Sequence, residues 1–174
     1  MSRRAARGPV PEPVQCARDL CAPLSHVNKS DLLQHLRTFL LEKLDIVQQE
    51  IDPMRSSFTS DTKSSAGDKH EVGRAMVQQE LDKLEEQRAK LIALQQELAR
   101  VPLERTFDRV AFGSLVETDQ GTYFVAIGLG RIEFNGGHCF AISLASPIGQ
   151  ALKDERVGDK IIFNGKIITI ARIA

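Results

Sequence analysis

The period of hydrophobicity changes once along this chain, near residue 101, and that switch constrains the fold more than any other feature. From Ser30 onwards, Leu33, Leu36, Leu40, Leu44, Val47, Ile51, Met54 and Phe58 recur at steps of three and four, the spacing of one apolar stripe on an α-helix. A second run over about 71–100 carries Val77, Leu81, Leu84, Leu91, Leu94 and Leu98, interrupted by Arg88, until Pro102 stops it. Beyond that point the apolar residues come in short β-branched or aromatic runs at 114–118, 122–127, 131–134, 138–144, 160–163 and 167–173, as in strands. The expected class is therefore α+β: a helical hairpin followed by a small antiparallel sheet domain.

Local signals place the boundaries. Ser30 is the expected N-cap of the first helix, with Asp31 suited to its first turn. Pro53 is expected to kink that helix or end it about a turn early, because its ring clashes with the preceding turn and it offers no N–H. The stretch 56–67, rich in small polar residues and ending in Gly67, predicts the reversal that sets the helices antiparallel. Helices of roughly 28 residues give an arm about 40 Å long. Its narrow seam makes it marginal alone, so it is expected to lean on something at its base. In the sheet region Asn135-Gly136 and Asn164-Gly165 are the strongest turn signals, since a two-residue hairpin turn needs positive φ at both positions. A short helix fits at about 146–153, with Ser146 as N-cap and Pro147 at N1. The expected division is 1–27 as a Pro-rich disordered tail, 28–101 as the hairpin and 102–174 as the sheet domain.

Composition excludes several classes. Lys plus Arg and Asp plus Glu both total 23, so no global basic field draws the chain to nucleic acid. No stretch reaches the ~18–20 apolar residues of a membrane span. Without Trp and with one Tyr, an aromatic base-stacking platform is disfavoured. Cys16, Cys21 and Cys139 match no zinc spacing. A reduced cytoplasmic setting follows as the simplest expectation, in keeping with a tail that has Arg at its front and no secretory apolar stretch.

Few residues are arranged for chemistry. There is no dinucleotide glycine pattern, P-loop or serine nucleophile elbow. His26, His35, His70 and His138 are scattered, and His35 reads as a surface residue. The exception is the hairpin tip, Gly67-Asp68-Lys69-His70-Glu71. Asp68 and Glu71 are three apart at the start of a helix, so both carboxylates can emerge on one side of its first turn. The same spacing is also a capping box, in which each residue satisfies the other's backbone N–H. Two carboxylates in water hold Mg²⁺ poorly, since the ion needs six well-placed oxygens. They become useful if the arm delivers them to a site that already holds ligands and metal.

An arm ending in this Gly-Asp-x-x-Glu tip, followed by a sheet domain containing Ile142-Ser143-Leu144-Ala145-Ser146-Pro147-Ile148-Gly149-Gln150-Ala151-Leu152 and then Val157-Gly158-Asp159-Lys160-Ile161, resembles the bacterial Gre transcript-cleavage factors over about residues 28–173. The resemblance implies an antiparallel coiled-coil hairpin that enters the secondary channel of RNA polymerase, and an FKBP-like C-terminal domain that docks on the channel rim. By position, Asp68 and Glu71 would be the tip acids. They would help place a second Mg²⁺, shared with the polymerase and not bound by the factor alone, together with a water. The polymerase's own active site would then hydrolyse the extruded RNA 3′ end in backtracked complexes. Ser146, Pro147, Ile148 and Gly149 would lie in the docking loop. On this reading the chain is a monomeric elongation factor, not itself an enzyme, whose partners are the polymerase and the nascent RNA 3′ end.

The sequence departs from the family at two places. Val72, Gly73 and Arg74 follow Glu71 where the family usually continues with Asn and then Ala-Glu-Tyr, and Ala145 stands where an acidic residue commonly precedes Ser-Pro. These changes keep open a secondary-channel regulator without cleavage activity. An FKBP-like prolyl isomerase and a structural coiled-coil adaptor complete the alternatives, the former poorly supplied with pocket aromatics.

Overall fold

A computed structural model describes residues 27–60 and 69–174, apart from the side chains of 58–60 and 69–72. The expected tail up to residue 26 and the reversal at 61–68 lie outside the described residues. Two long helices, α1 (Lys29–Ser60) and α2 (Lys69–Ala99), form the hairpin. The cap of α1 is Asn28, not Ser30. Asn28 Oδ1 accepts from the Ser30 N–H at 3.1 Å and from its hydroxyl at 2.9 Å, while the Asn28 carbonyl accepts from the Leu32 N–H at 3.1 Å. Asn is as good a cap as Ser, so the helix begins earlier and Ser30 falls inside it.

Pro53 does not end α1, which continues to Ser60 and takes in residues 56–60 assigned above to the reversal. The cost of an interior proline, roughly 3 kcal/mol, is met by packing on both sides of it. Val47 and Ile51 are buried against Leu81 and Leu84 of α2, with Met54 packed on the same cluster. Arg55 reaches across to Glu85, its Nε donating to Oε1 at 3.2 Å. Just beyond the proline, the Ser56 hydroxyl donates to the Asp52 carbonyl at 2.9 Å.

The second half of the chain forms β1 (Leu115–Thr118), β2 (Gly121–Val125), β3 (Gly130–Phe134), β4 (Gly137–Ile142), a short α3 (Pro147–Leu152), β5 (Lys160–Phe163) and β6 (Lys166–Ile173). The strand order is β3-β4-β2-β1-β6-β5. Three two-strand hairpins form, two of them at the predicted Asn-Gly pairs, which adopt the positive φ they require: 48° and 74° at Asn135-Gly136, 50° and 74° at Asn164-Gly165. One pairing departs from the antiparallel expectation. β2 pairs parallel with β4, Phe124 opposite Ala141, because the connection over 126–129 carries the chain past that position and β4 returns to fill it.

The two faces of the sheet bury different elements. On one face Leu115, Phe124, Ile132 and Cys139 pack against Leu33, Leu36, Leu40 and Leu98, so the base of the hairpin and the sheet share one core. The expected support at the foot of the arm is this contact. Leu32, which lies off the predicted seam, is fully buried in the same core. On the other face Val116, Val125 and Ile142 meet Leu152 of α3 together with Ile161, Ile168 and Ile170. Burial pushes the Cys139 thiol up to about 11, so it stays protonated and unreactive at neutral pH. Lys29, at the foot of α1, lies over the Phe107 ring at 4.6 Å, with the Arg105 guanidinium 5.2 Å from the same ring. These contacts tie the connector after α2 back to the start of α1.

Candidate functional site

The residues singled out from sequence fall at two places: the arm tip and the turn before α3. At the tip, α2 begins at Lys69, so Glu71 belongs to its first turn and Asp68 immediately precedes it. Asp68 itself, and the side chain of Glu71, lie outside the described residues. What the structure gives is the reach of the arm. Leu40 is the last α1 residue in the shared core, and α1 runs 20 residues beyond it to Ser60, about 30 Å of helix. The start of α2 is carried correspondingly far from the sheet. Gly73 is exposed, and a Cβ there would meet nothing within 4 Å. No packing therefore demands glycine, which lowers helix propensity where the arm ends.

The turn before α3 is described in full, and it separates the expected docking residues into two kinds. Ser146 is the N-cap (φ −70°, ψ 154°); its Oγ accepts from the Gly149 N–H at 3.1 Å and donates to the Ser143 carbonyl at 2.7 Å. Pro147 occupies the first helical position, where its missing N–H leaves no bond unmade. The Ser143 carbonyl also accepts from the Ser146 N–H at 3.1 Å. Gly149 is pressed so closely beneath this carbonyl that a Cβ would sit 2.1 Å from its oxygen. Ser146 and Gly149 thus wind the loop and face inward. Ile148 is half-buried against the α3 side of the sheet, and only Pro147 of the four is exposed.

The outward surface is completed by Ala145, noted above as a departure from the family pattern, and Gln150, both exposed and both outside the expected docking set. The Gln150 amide also closes the turn by donating to the Leu144 carbonyl. What this turn can do is present a small, rigid, largely uncharged ridge to another protein. Nothing in it resembles a nucleophile or an acid–base pair. Among the described residues no cluster of three or more His, Cys, Asp or Glu is placed to hold a metal, and no helix is long and apolar enough to cross a membrane.

No protein-family model matches the chain, and no curated protein matches it. Solved structures do resemble it, two of them of Gfh1. One, described as the transcription factor Gfh1, aligns with a TM-score of 0.31 and 20% identity over 79% of this chain and 92% of that one. The other, Gfh1 of Thermus aquaticus, aligns with a TM-score of 0.28 and 23% identity over 78% and 92%. Scores of that size leave the assignment to the residues themselves.

Proposed function

We propose that this protein is a transcription elongation factor of the Gre type, which places its helical arm in the secondary channel of RNA polymerase and stimulates cleavage of the RNA 3′ end in backtracked complexes. What supports this reading is that α2 begins at Lys69, within the sequence Asp68-x-x-Glu71, and that its start belongs to an arm extending about 30 Å of helix beyond its supporting core. Two acids in the sequence at that end of the arm, far from the core that supports it, favour action inside a partner.

Asp68 and Glu71 are the groups that would hold Mg²⁺ jointly with polymerase carboxylates. They offer too few oxygens to complete the six-fold shell of that ion alone, so the donor set fits a shared site and not a resident one. Bound there, the ion would supply a Lewis acid for hydrolysis of the RNA phosphodiester. The chain's own part is positional. The arm brings the carboxylates to the site, the acids orient water, and the ridge of Ala145, Pro147 and Gln150 docks the sheet domain on the rim. The protein is then a stimulating factor and not itself the enzyme.

A second reading, a channel-binding regulator without cleavage activity, draws on Val72-Gly73-Arg74, which offer no further acid after Glu71. One assay separates the two. End-labelled RNA in a purified, backtracked polymerase complex with Mg²⁺ should shorten faster with the protein present, and D68N or E71Q should lose most of that acceleration while still binding polymerase. Acceleration unaffected by either substitution contradicts the reading. Binding without acceleration selects the regulator.

A further inference from the structure

β3 (Gly130–Phe134) is an edge strand, and its open side carries a charge pattern complementary to itself. The two-residue turn at Asn135-Gly136 makes Phe134 and Gly137 a hydrogen-bonded pair. Alternation along an antiparallel ladder then turns the N–H and C=O of Ile132 towards β4 and those of Arg131 and Glu133 outwards. Among the described residues, no hydrogen bond or ion pair reaches Arg131 or Glu133 from outside the β3–β4 ladder. Both side chains are exposed, while Ile132 between them points into the shared core. Lying two apart on one strand, Arg131 and Glu133 have Cα atoms about 7 Å from each other, and among the described residues no ion pair joins the two side chains.

We infer that β3 pairs antiparallel with β3 of a second copy of this chain, about a two-fold axis through Ile132. In that register Arg131 lies opposite Glu133 of the other copy, and Glu133 opposite its Arg131. The outward backbone groups of all four residues exchange hydrogen bonds, and both cross-strand pairs are of opposite charge. The same charges exclude the neighbouring registers that keep this bonding. Slipping the strands by two residues in either sense sets Arg131 against Arg131 or Glu133 against Glu133. Edge strands generally use charge to resist pairing; here alternating signs admit one register and oppose the next.

A cavity of about 530 Å³ borders the turn end of the β3–β4 hairpin, lined by His35 of α1, Arg131, Glu133, Phe134, Gly137 and His138, and among the described residues no other strand pairs with the open side of β3. The ridge before α3 stays free in such a dimer, because α3 contacts β5 at the opposite edge of the sheet. The inference departs from the monomer expected from the sequence.

An interface of one short strand pair is at the small end of the range for specific association, so the test is sedimentation equilibrium up to about 0.5 mM chain. The parent protein should rise towards twice its 19.3 kDa mass as concentration increases. R131E and E133R should each stay monomeric alone, since each sets like charges in apposition. An equimolar mixture of the two variants should regain the dimer, because all four charges then pair with opposite sign. K160E, on the β5 edge, should dimerise as the parent does. A parent that stays monomeric at 0.5 mM, single variants that dimerise like the parent, or a mixture that remains monomeric would each overturn the inference.

Discussion

At the scale of single residues, the turn before α3 separates what holds a loop from what a loop shows. Ser146 and Pro147 were legible in the sequence, because an N-cap followed by proline is a local signal. The demand at Gly149 was not: its φ is not among the positive values, and what forbids a side chain is the Ser143 carbonyl, six residues upstream. G149A should therefore destabilise the protein by about 1–3 kcal/mol, visible as a lower urea midpoint at unchanged slope. P147A, at an exposed position, should change stability by no more than about 0.5 kcal/mol yet weaken polymerase binding. Equal stability losses for the two would contradict the division between winding and contact residues. The tip acids were equally plain in the sequence as a pair. Under the proposed function, their choice between a mutual cap and a metal-facing arrangement would belong to the partner's geometry, which no spacing within this chain encodes.

At the scale of elements, both long helices and every strand were foreseen, and the misses share a cause. Pro53 reads as a breaker because local sterics oppose it; the helix survives because Ile51, Met54 and Arg55 are engaged across the hairpin on either side. Replacing it with alanine restores an N–H for the Gln49 carbonyl and removes the ring clash. P53A should accordingly stabilise the distal arm by about 1–3 kcal/mol. The gain should appear as slower amide exchange at 50–60 and 75–85, with little change in the sheet. Faster exchange in the arm would mean that the proline relieves strain there. The parallel β2–β4 pair escaped sequence reading for the complementary reason. Two-residue turns declare which strands are hairpin partners, whereas the strand that fills the gap beside β2 is decided by packing of the hairpins against α1 and α3.

At the scale of the whole molecule, the helical and strand-like halves share a core, so the arm is anchored to the sheet it projects from. Leu36 is fully buried in that core and Leu84 is buried in the separate cluster higher on the arm. L36A should cost about 2–5 kcal/mol and lower the unfolding midpoints of helix and sheet together. L84A should open the arm locally, seen by hydrogen exchange, with the sheet less affected. Parallel losses from both variants would show that the arm does not behave as a separable lever. Under the proposed function the zero formal charge is also expected at this scale: a factor that reached RNA through a protein would need no basic field of its own.

The central claim is that the arm tip enters the polymerase beside its catalytic centre. A chelated-iron probe attached through K69C, with C16S and C21S in place and Cys139 buried beyond reach, reports that position by the hydroxyl-radical cuts it makes in a backtracked complex. The account predicts cuts clustered at the polymerase catalytic centre and in the 3′-proximal RNA; cuts confined to the enzyme's outer surface, or none above background, would contradict it.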